Sequence, residues 1–150
     1  MSLKNIINED IKLAMKEKDS IKLESLRAIK SAIILFETKD SSSSTLEKSD
    51  EVKILQRLVK QRKESAEIFQ NQKRNDLAEH EIAQLEFISK YLPEQLNANE
   101  IENIVLKIIK ETNSNGMKDM GKVMGMATKE LSGKADGKTI SEIVRKNLNN

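Results

Sequence analysis

The only histidine, His80, is the residue best suited by type to acid–base catalysis or metal binding. Its neighbours in sequence, Glu79 and Glu81, do not face it on a helix, because adjacent helical residues point in different directions. Cysteine is absent, which removes thiolate nucleophiles and thiolate metal ligands, and no carboxylate spacing resembles a calcium loop. We therefore predict no catalytic residue, no metal site and no cofactor, and we expect His80 to lie on the surface or at an interface.

Residues 118–125 form an unusual segment, with two glycines inside a predicted helix. They are not a phosphate-binding loop, because such a loop follows a strand. Gly121 costs a helix up to about 1 kcal/mol relative to alanine, so it favours close approach by another backbone, with a second helix as the simplest candidate. Asp119 is placed to cap this helix. Further on, Gly133 and Asp136 predict a helix stop and a new helix cap around a tight turn.

Arg62 falls on the apolar register of the third predicted helix, which also holds Leu55, Val59, Ala66 and Phe69. A cation at such a position needs a partner, because an unpaired buried charge is very costly. We expect a carboxylate of the second or fourth helix opposite Arg62, and a functional role is the alternative.

Charge is distributed unevenly along the chain. Residues 51–75 carry +4 and residues 76–94 carry −4, as two antiparallel helices that attract each other would. Residues 117–150 carry +3. A basic stripe on the first of these segments consists of Lys53, Arg57, Lys60 and Lys63. This stripe is either a phosphate-facing surface or a solvated helix face.

The composition favours long helices with an aliphatic core. Of 150 residues, 37% are apolar, 33% are charged and 3% are aromatic, and there are only 5 glycines and 1 proline. The net charge of +2 and the excess of lysine over arginine neither favour nor exclude a nucleic-acid partner, because lysine lacks the planar fork of arginine.

Apolar residues recur with the 3.6-residue period of an α-helix along most of the chain. This period predicts seven helices, at about 3–17, 20–37, 50–73, 76–92, 97–112, 119–131 and 137–148. The predicted caps are Ser2, Asp19, Ser49 or Asp50, and Asn97 with Glu100. The polar tract 38–45 has no apolar face, and we expect it to be a mobile loop.

Pro93 marks the predicted domain boundary. Proline disfavours helical geometry in the residue before it, so it stops the fourth helix. We predict an all-α fold, with about four helices in an N-terminal domain, residues 1–93, and a small three-helix C-terminal domain, residues 94–150.

No stretch approaches the roughly 18 consecutive apolar residues of a membrane span. Residues 1–7 lack the apolar core and the small-residue cleavage site of a secretory signal. The absence of cysteine fits a reducing compartment. We therefore expect a cytoplasmic protein without a membrane partner.

Several motifs, taken together, resemble the YqeY family, whose C-terminal part is similar to the tail domain of the B subunit of the tRNA-dependent amidotransferase. The matching stretches are Leu26-Arg27, Lys60-Gln61-Arg62-Lys63-Glu64-Ser65, Arg74 with Asp76-Leu77, Tyr91-Leu92-Pro93, Lys118-Asp119-Met120-Gly121-Lys122-Val123-Met124 and Gly133-Lys134-Ala135-Asp136-Gly137-Lys138. The resemblance implies structural roles for Arg27, Arg62, Pro93, Asp119, Gly121, Gly133 and Asp136. Where the family usually has arginine this chain has Lys134, so no arginine fork for phosphate is implied at that turn.

The resemblance also implies a link to tRNA-dependent amidation, in which the tail domain helps to hold tRNA. The catalytic residues of the amidotransferase have no counterparts in this sequence. We therefore expect a non-catalytic accessory module that binds tRNA or another RNA. The basic residues expected to contact phosphate are Lys118, Lys122, Lys134, Lys138, Arg145 and Lys146.

Two other functions stay open. One is a protein–protein interaction module that uses the flanks of the third and fourth helices. The other is an amidotransferase-like enzyme, a carbon–nitrogen ligase with glutamine as the amide donor, which rests on the family resemblance alone.

Overall fold

The computed structural model describes residues 2–39 and 46–149, so the tract expected to be a mobile loop lies, from residue 40 onward, outside the described residues. Over those residues the chain forms seven α-helices, one short 3₁₀ helix and no strand, which confirms the all-α prediction. The helices are α1 Leu3–Glu17, α2 Ser20–Lys39, α3 Lys48–Asn71, α4 Asn75–Ser89, α5 Ala98–Thr112, the 3₁₀ helix Met117–Asp119, α6 Met120–Glu130 and α7 Gly137–Leu148. Within the same ranges, no helix is both long and apolar enough to cross a membrane.

The first, second and fifth helices begin at the predicted caps. The side chains of Ser2 and Asp19 each accept a backbone N–H three residues further along the chain, at 3.3 and 3.1 Å. Asn97 and Glu100 form the expected reciprocal pair, in which each side chain accepts the backbone N–H of the other residue, at 2.9 and 3.2 Å. These contacts satisfy N–H groups that have no partner within the helix.

The third helix starts earlier than predicted, and neither Ser49 nor Asp50 is its N-cap. Glu47 occupies that position. Asp50 lies in the first turn, where its Oδ2 accepts the Glu47 N–H at 3.1 Å. A carboxylate in this position reaches back to the free N–H of the cap residue, so Asp50 stabilises the helix start without being the cap.

Unit 1, Met1–Leu92, has its own aliphatic core. Helix α2 packs against α1, α3 and α4, and α3 packs against α4 along much of its length. The buried core residues are Leu3, Ile7, Ala14, Leu26, Ile29, Ile33, Ile54, Leu55, Leu58 and Ile88. The apolar face of α3 is rotated from the predicted one, because Ile54 and Leu58 are buried while Val52 and Val59 are only half-buried.

All four aromatic residues of the chain, Phe36, Phe69, Phe87 and Tyr91, belong to unit 1. The ring of Phe87 packs edge-on against Tyr91, with 5.6 Å between ring centroids. The Tyr91 hydroxyl donates a 2.6 Å hydrogen bond to Asp10 Oδ2 and so joins the segment after α4 to α1. Burial and the neighbouring Asp10 carboxylate raise the pKa of Tyr91 well above its ordinary value.

Unit 2, Pro93–Asn150, is a second compact unit in which α5, α6 and α7 all pack against one another. Its buried residues are Ile101, Val105, Ile108, Val123, Ala127, Leu131, Ile140, Ile143, Val144 and Leu148. Two hydrogen bonds join the segment before α5 to the turn between α6 and α7. The Leu96 N–H donates to the Lys134 carbonyl at 2.9 Å, and Gln95 Nε2 donates to the Gly133 carbonyl at 2.7 Å.

The non-helical segment around Pro93 begins with a tight turn. Helix α4 ends at Ser89, after which the N–H groups of residues 90–92 bond to carbonyls three residues earlier. Such bonds satisfy the last carbonyls of a helix that a following proline prevents from continuing. The next helix begins only at Ala98.

Candidate nucleic-acid interface

The turn between α6 and α7 positions two of the predicted RNA-binding residues, Lys134 and Lys138. Gly133 has a φ of +78°, a left-handed conformation that glycine adopts without steric cost. Asp136 then caps α7, because its Oδ1 accepts the Thr139 N–H at 2.8 Å. These are the backbone roles that the sequence predicts for Gly133 and Asp136. Lys134 lies in the turn before α7, and Lys138 lies in the first turn of α7.

The other predicted cations lie elsewhere on unit 2. Arg145 and Lys146 occupy the last turn of α7, about 11 Å along the helix axis from Lys138 at 1.5 Å per residue. Lys118 lies in the 3₁₀ helix and Lys122 in the first turn of α6. All six cations, Lys134 included, are exposed. They are therefore spread over two helices, a 3₁₀ helix and a turn rather than gathered in one pocket.

Two of these cations have weak partners. Lys122 Nζ lies 3.5 Å from the carbonyl of Thr112 at the end of α5, where the helix dipole is negative. Lys146 Nζ lies 3.7 Å from Glu102 Oε2, and 70% of its side chain is exposed, so the pair contributes little. The side chains of Lys118, Lys134, Lys138 and Arg145 form no ion pair within the described residues. These four are available to an external anion.

Asp119 does not cap α6, contrary to the sequence prediction. Its φ of −96° and ψ of 5° are not the extended conformation of a capping residue, and its side chain makes no hydrogen bond to the helix start. Instead its Oδ2 accepts the Asn115 N–H at 2.7 Å and holds the turn that precedes the 3₁₀ helix. Lys118 lies in that 3₁₀ helix and is not part of α6, whereas Lys129 lies two turns beyond Lys122 on the same side of α6.

The close approach expected at Gly121 is absent. A Cβ added at Gly121 or at Gly125 would meet no heavy atom within 4 Å, so no described helix of unit 2 packs closely against these two positions of α6. Both glycines are exposed. The side of α6 that carries them is an open surface of unit 2.

Arg62, in unit 1, has a different partner from the one predicted. It is half-buried, and its Nε donates to Gln84 Oε1 on α4 at 2.9 Å, while its Nη1 lies 3.3 Å from the carbonyl of Leu58. Gln84 is only 8% exposed, and its Nε2 donates to Glu24 Oε2 on α2 at 2.8 Å. The expected direct contact with a carboxylate is therefore replaced by a neutral amide that lies between the cation and the carboxylate.

His80 completes this cluster at the surface, with 44% of its side chain exposed. Its Nε2 lies 2.8 Å from Glu24 Oε2 and 3.1 Å from Gln84 Nε2. The bond from Arg62 turns the Gln84 oxygen towards α3, so the Gln84 NH₂ group faces Glu24 and His80. His80 Nε2 and Gln84 Nε2 thus both lie within hydrogen-bond distance of Glu24 Oε2, which is an acceptor.

Two other arginines of unit 1, both exposed, have no such side-chain partner. The side chain of Arg27 is exposed and forms no hydrogen bond or ion pair with another described residue, and the same holds for the side chain of Arg57. No ion pair joins α3 to α4 over the described residues, although the two helices pack together. Arg74 instead pairs with Asp76, two residues away and fully exposed, at 3.3 Å, and this contact lowers the pKa of Asp76.

Sequence reasoning missed Gln84 and the bond between Tyr91 and Asp10. A signal for the first exists, because His80, Gln84 and the buried Ile88 recur every four residues and so share one face of α4. Among the described residues, no group of three or more His, Asp or Glu side chains is placed to hold a metal ion. The arrangement as a whole is a helical protein of two compact units, with exposed cations on the second.

The chain belongs to the YqeY family, because the family model for Yqey-like proteins matches residues 4–148. A relative from Clavispora lusitaniae, named Altered inheritance of mitochondria protein 41, mitochondrial, is 34% identical over 131 residues, 87% of this chain and 75% of the relative. The protein of the same name from Pyrenophora tritici-repentis is 31% identical over 142 residues, 93% of this chain and 77% of the relative. The E subunit of the glutamyl-tRNA(Gln) amidotransferase from Thermococcus sibiricus is 40% identical over 57 residues, 35% of this chain but 9% of that protein.

Proposed function

We propose that unit 2 is a non-catalytic RNA-binding module and that tRNA is its ligand, in the context of tRNA-dependent amidation. The observation that carries the proposal is the set of six predicted cations exposed on unit 2, five of which have no ion-pair partner among the described residues. The partial similarity to a protein whose name refers to glutamyl-tRNA(Gln) supports tRNA over other polyanions. No step of chemistry is assigned to this chain.

The positive charge that would attract RNA is confined to part of unit 2. Pro93–Asn150 contains nine basic and eight acidic side chains, a balance of only +1, whereas residues 117–150 carry +3. Glu142 lies on α7 between Lys138 and Arg145, so no continuous basic face runs along that helix. The module would therefore neutralise few phosphates and bind RNA with modest affinity that depends on salt.

The test measures the affinity of the full chain for tRNA over a range of salt concentrations. If lysines meet phosphates, log affinity falls linearly with log salt by roughly 0.7 to 0.9 per phosphate neutralised. Replacing Lys118 and Lys122 with alanine should reduce that slope by about one to two units. A matched control replaces Lys107 and Lys110 on α5, which removes the same charge from unit 2 and should leave the slope unchanged. The absence of salt-dependent binding at low ionic strength would refute the RNA proposal.

A protein-interaction role on the flanks of α3 and α4 is the second candidate. It is favoured by an open groove of about 490 Å³ between these helices, beside which Ile68 is 55% exposed. The groove lining includes one cation, Arg62, against Glu64 and Glu81, which does not suit phosphate. A partner bound there would not show the fall in log affinity with log salt, roughly 0.7 to 0.9 per phosphate neutralised, that is expected of tRNA. Turnover of glutamine by the isolated chain would instead support the amidotransferase-like alternative.

We also propose that the protein works in the cytoplasm. The proposal rests on the absence of cysteine, which fits a reducing compartment, whereas two relatives similar over most of the chain are named as mitochondrial proteins. Cell fractionation with a marker for each compartment decides between the two locations.

A further inference from the structure

Unit 1 has an open groove between the second half of α2 and the first half of α3, with a volume of about 290 Å³. Its apolar lining comes from Ala32, Leu35 and Phe36 on α2 and from Ile54 and Leu58 on α3. Leu35 and Phe36 follow Ala32 by three and four residues on α2, and Leu58 follows Ile54 by four on α3, so the lining residues of each helix lie on one side of it. Two such sets of lining residues side by side have the shape of a site that accepts a third helix.

Large apolar side chains near the end of α2, beside the groove, are exposed to solvent. Ile34, Leu35 and Phe36 are consecutive large apolar residues that are 45%, 69% and 38% exposed. The period of α2 predicts Phe36 in the core with Ile33, but only Ile33 is buried. A helix that is apolar on more than one side is normally covered on each of them, and a cluster of exposed apolar side chains is typical of a binding surface.

Among the described residues, the charged side chains that line the groove are all basic. They are Lys39 and Arg57, and no described acidic residue lines it. Neither cation forms an ion pair with another described residue. Lys53 and Lys60 continue the row on α3, one turn before and one turn after Arg57. An apolar groove bordered by unpaired cations is complementary to an apolar stripe bordered by carboxylates.

We propose that this groove binds an amphipathic helix of a partner protein, whose apolar stripe enters the groove and whose flanking Asp or Glu residues meet Arg57 and Lys39. RNA fits less well, because four of the five apolar lining residues are aliphatic and give a base no stacking surface, and the aromatic one, Phe36, is less exposed than Leu35. A second copy of this chain fits less well too, because a symmetric interface here would place the same cations opposite each other.

The test uses the full chain, labelled with nitrogen-15, and two synthetic helical peptides about 16 residues long, or roughly 24 Å. Both carry leucine at spacings of three and four; one has glutamate on the flanks and the other has lysine. We expect the acidic peptide to bind, with amide shifts confined to α2 and α3, and the basic peptide to bind at least about tenfold more weakly. Leu35→Asp should reduce the affinity for the acidic peptide about tenfold or more. Arg57→Glu should reduce the affinity for the acidic peptide and increase the affinity for the basic one.

The matched control is Leu106→Asp, the same change at an exposed leucine on α5 of unit 2, which should leave peptide binding unchanged. Equal binding of the two peptides, or binding that Leu35→Asp leaves intact, overturns the proposal. A dimer of the full chain that Leu35→Asp dissociates would assign the groove to a second copy instead. Loss of tRNA binding in Leu35→Asp, without any peptide binding, would assign it to nucleic acid. Failure here leaves the RNA proposal intact, because that proposal concerns residues of unit 2.

Discussion

Gln84 joins three helices through the two ends of one side-chain amide. Its oxygen accepts from Arg62 on α3, and its nitrogen donates to Glu24 on α2. A charged pair at this place would have to lose water from both ions, whereas the amide lets Glu24 stay half-exposed and Arg62 keep a satisfied Nε. The cluster therefore fixes how α2, α3 and α4 meet without a buried ion pair.

Replacing Gln84 with leucine should lower the free energy of unfolding by about 1–3 kcal/mol, because a buried Arg62 Nε loses its acceptor and Glu24 loses a donor. Urea denaturation measures the change. Gln61→Leu is the control, since the side chain of Gln61 is exposed and makes no hydrogen bond with a described residue. The free energy of unfolding of this variant should stay within about 0.5 kcal/mol of the wild type. A double-mutant cycle with Arg62→Ala should give a coupling of roughly 0.5–3 kcal/mol. Additive effects would mean that the Arg62–Gln84 bond does not contribute.

Tyr91 should ionise at a higher pH in the folded protein than in urea, where its pKa returns to about 10. It is the only tyrosine, and there is no tryptophan, so near-ultraviolet absorbance of tyrosinate reports Tyr91 alone. The folded pKa is raised, so the stability from the neutral phenol is complete below the unfolded pKa and is lost as pH rises towards the folded pKa. We expect this loss to begin near pH 10 and to be absent from Tyr91→Phe. A native titration that coincides with the titration in urea would contradict the Asp10 hydrogen bond.

At the scale of single residues, the sequence shows that a side chain must be paired more reliably than it shows which residue pairs with it. The register of α3 shows that Arg62 must be paired, but the partner depends on how α4 is rotated against α3, which the period of one helix does not contain. The same holds for Tyr91 and Asp10, which are 81 residues apart. Capping residues are predicted well when the partner is local, as Asn97 and Glu100 show.

At the scale of elements, the seven helices follow from the apolar period because nearly every helix buries one face in an aliphatic core. The 3₁₀ helix Met117–Asp119 is missed, since three residues are too short to show a period. Its presence shifts Asp119 out of the capping position and separates Lys118 from α6. The exposure of Phe36 is missed for another reason: α2 has more apolar residues than unit 1 covers.

Gly121 and Gly133 should respond in opposite ways to alanine. Gly121 is helical, and an added Cβ there meets open space, so Gly121→Ala should stabilise the protein by about 0.5–1 kcal/mol. Gly133 has a φ of +78°, so Gly133→Ala should destabilise by about 1 kcal/mol or more. Thermal unfolding of the two variants gives the comparison. A loss of stability in Gly121→Ala would show that something does pack on that face of α6.

At the scale of the whole molecule, contacts divide the chain between Leu92 and Pro93. The sequence boundary, between residues 93 and 94, rests on Pro93 and on the shorter helices beyond it. Neither observation measures whether the two parts behave separately in solution, so the domain assignment stays a prediction. A proline shows only where a helix ends, whereas independent folding depends on the free energy of unfolding of each unit.

Limited proteolysis tests the openness of the segment 90–97. Glu94 is exposed and lies outside any helix, so a glutamate-specific protease should cut there before it cuts at Glu86 in α4 or Glu111 in α5. Mass spectrometry of early fragments identifies the sites. Cleavage at the two helical glutamates as fast as at Glu94 would show that the segment is not preferentially accessible.

The confinement of every aromatic ring to unit 1 makes the two units optically distinct. Near-ultraviolet circular dichroism comes from ordered rings, and the edge-on contact between Phe87 and Tyr91 supplies an ordered pair in unit 1 only. Far-ultraviolet signal comes from helices in both units. The near-ultraviolet signal thus records the melting of unit 1, and the far-ultraviolet signal records the melting of the whole chain, in one unlabelled sample. Two curves that separate would mean that the units unfold in different steps, and two that coincide would mean a single cooperative transition.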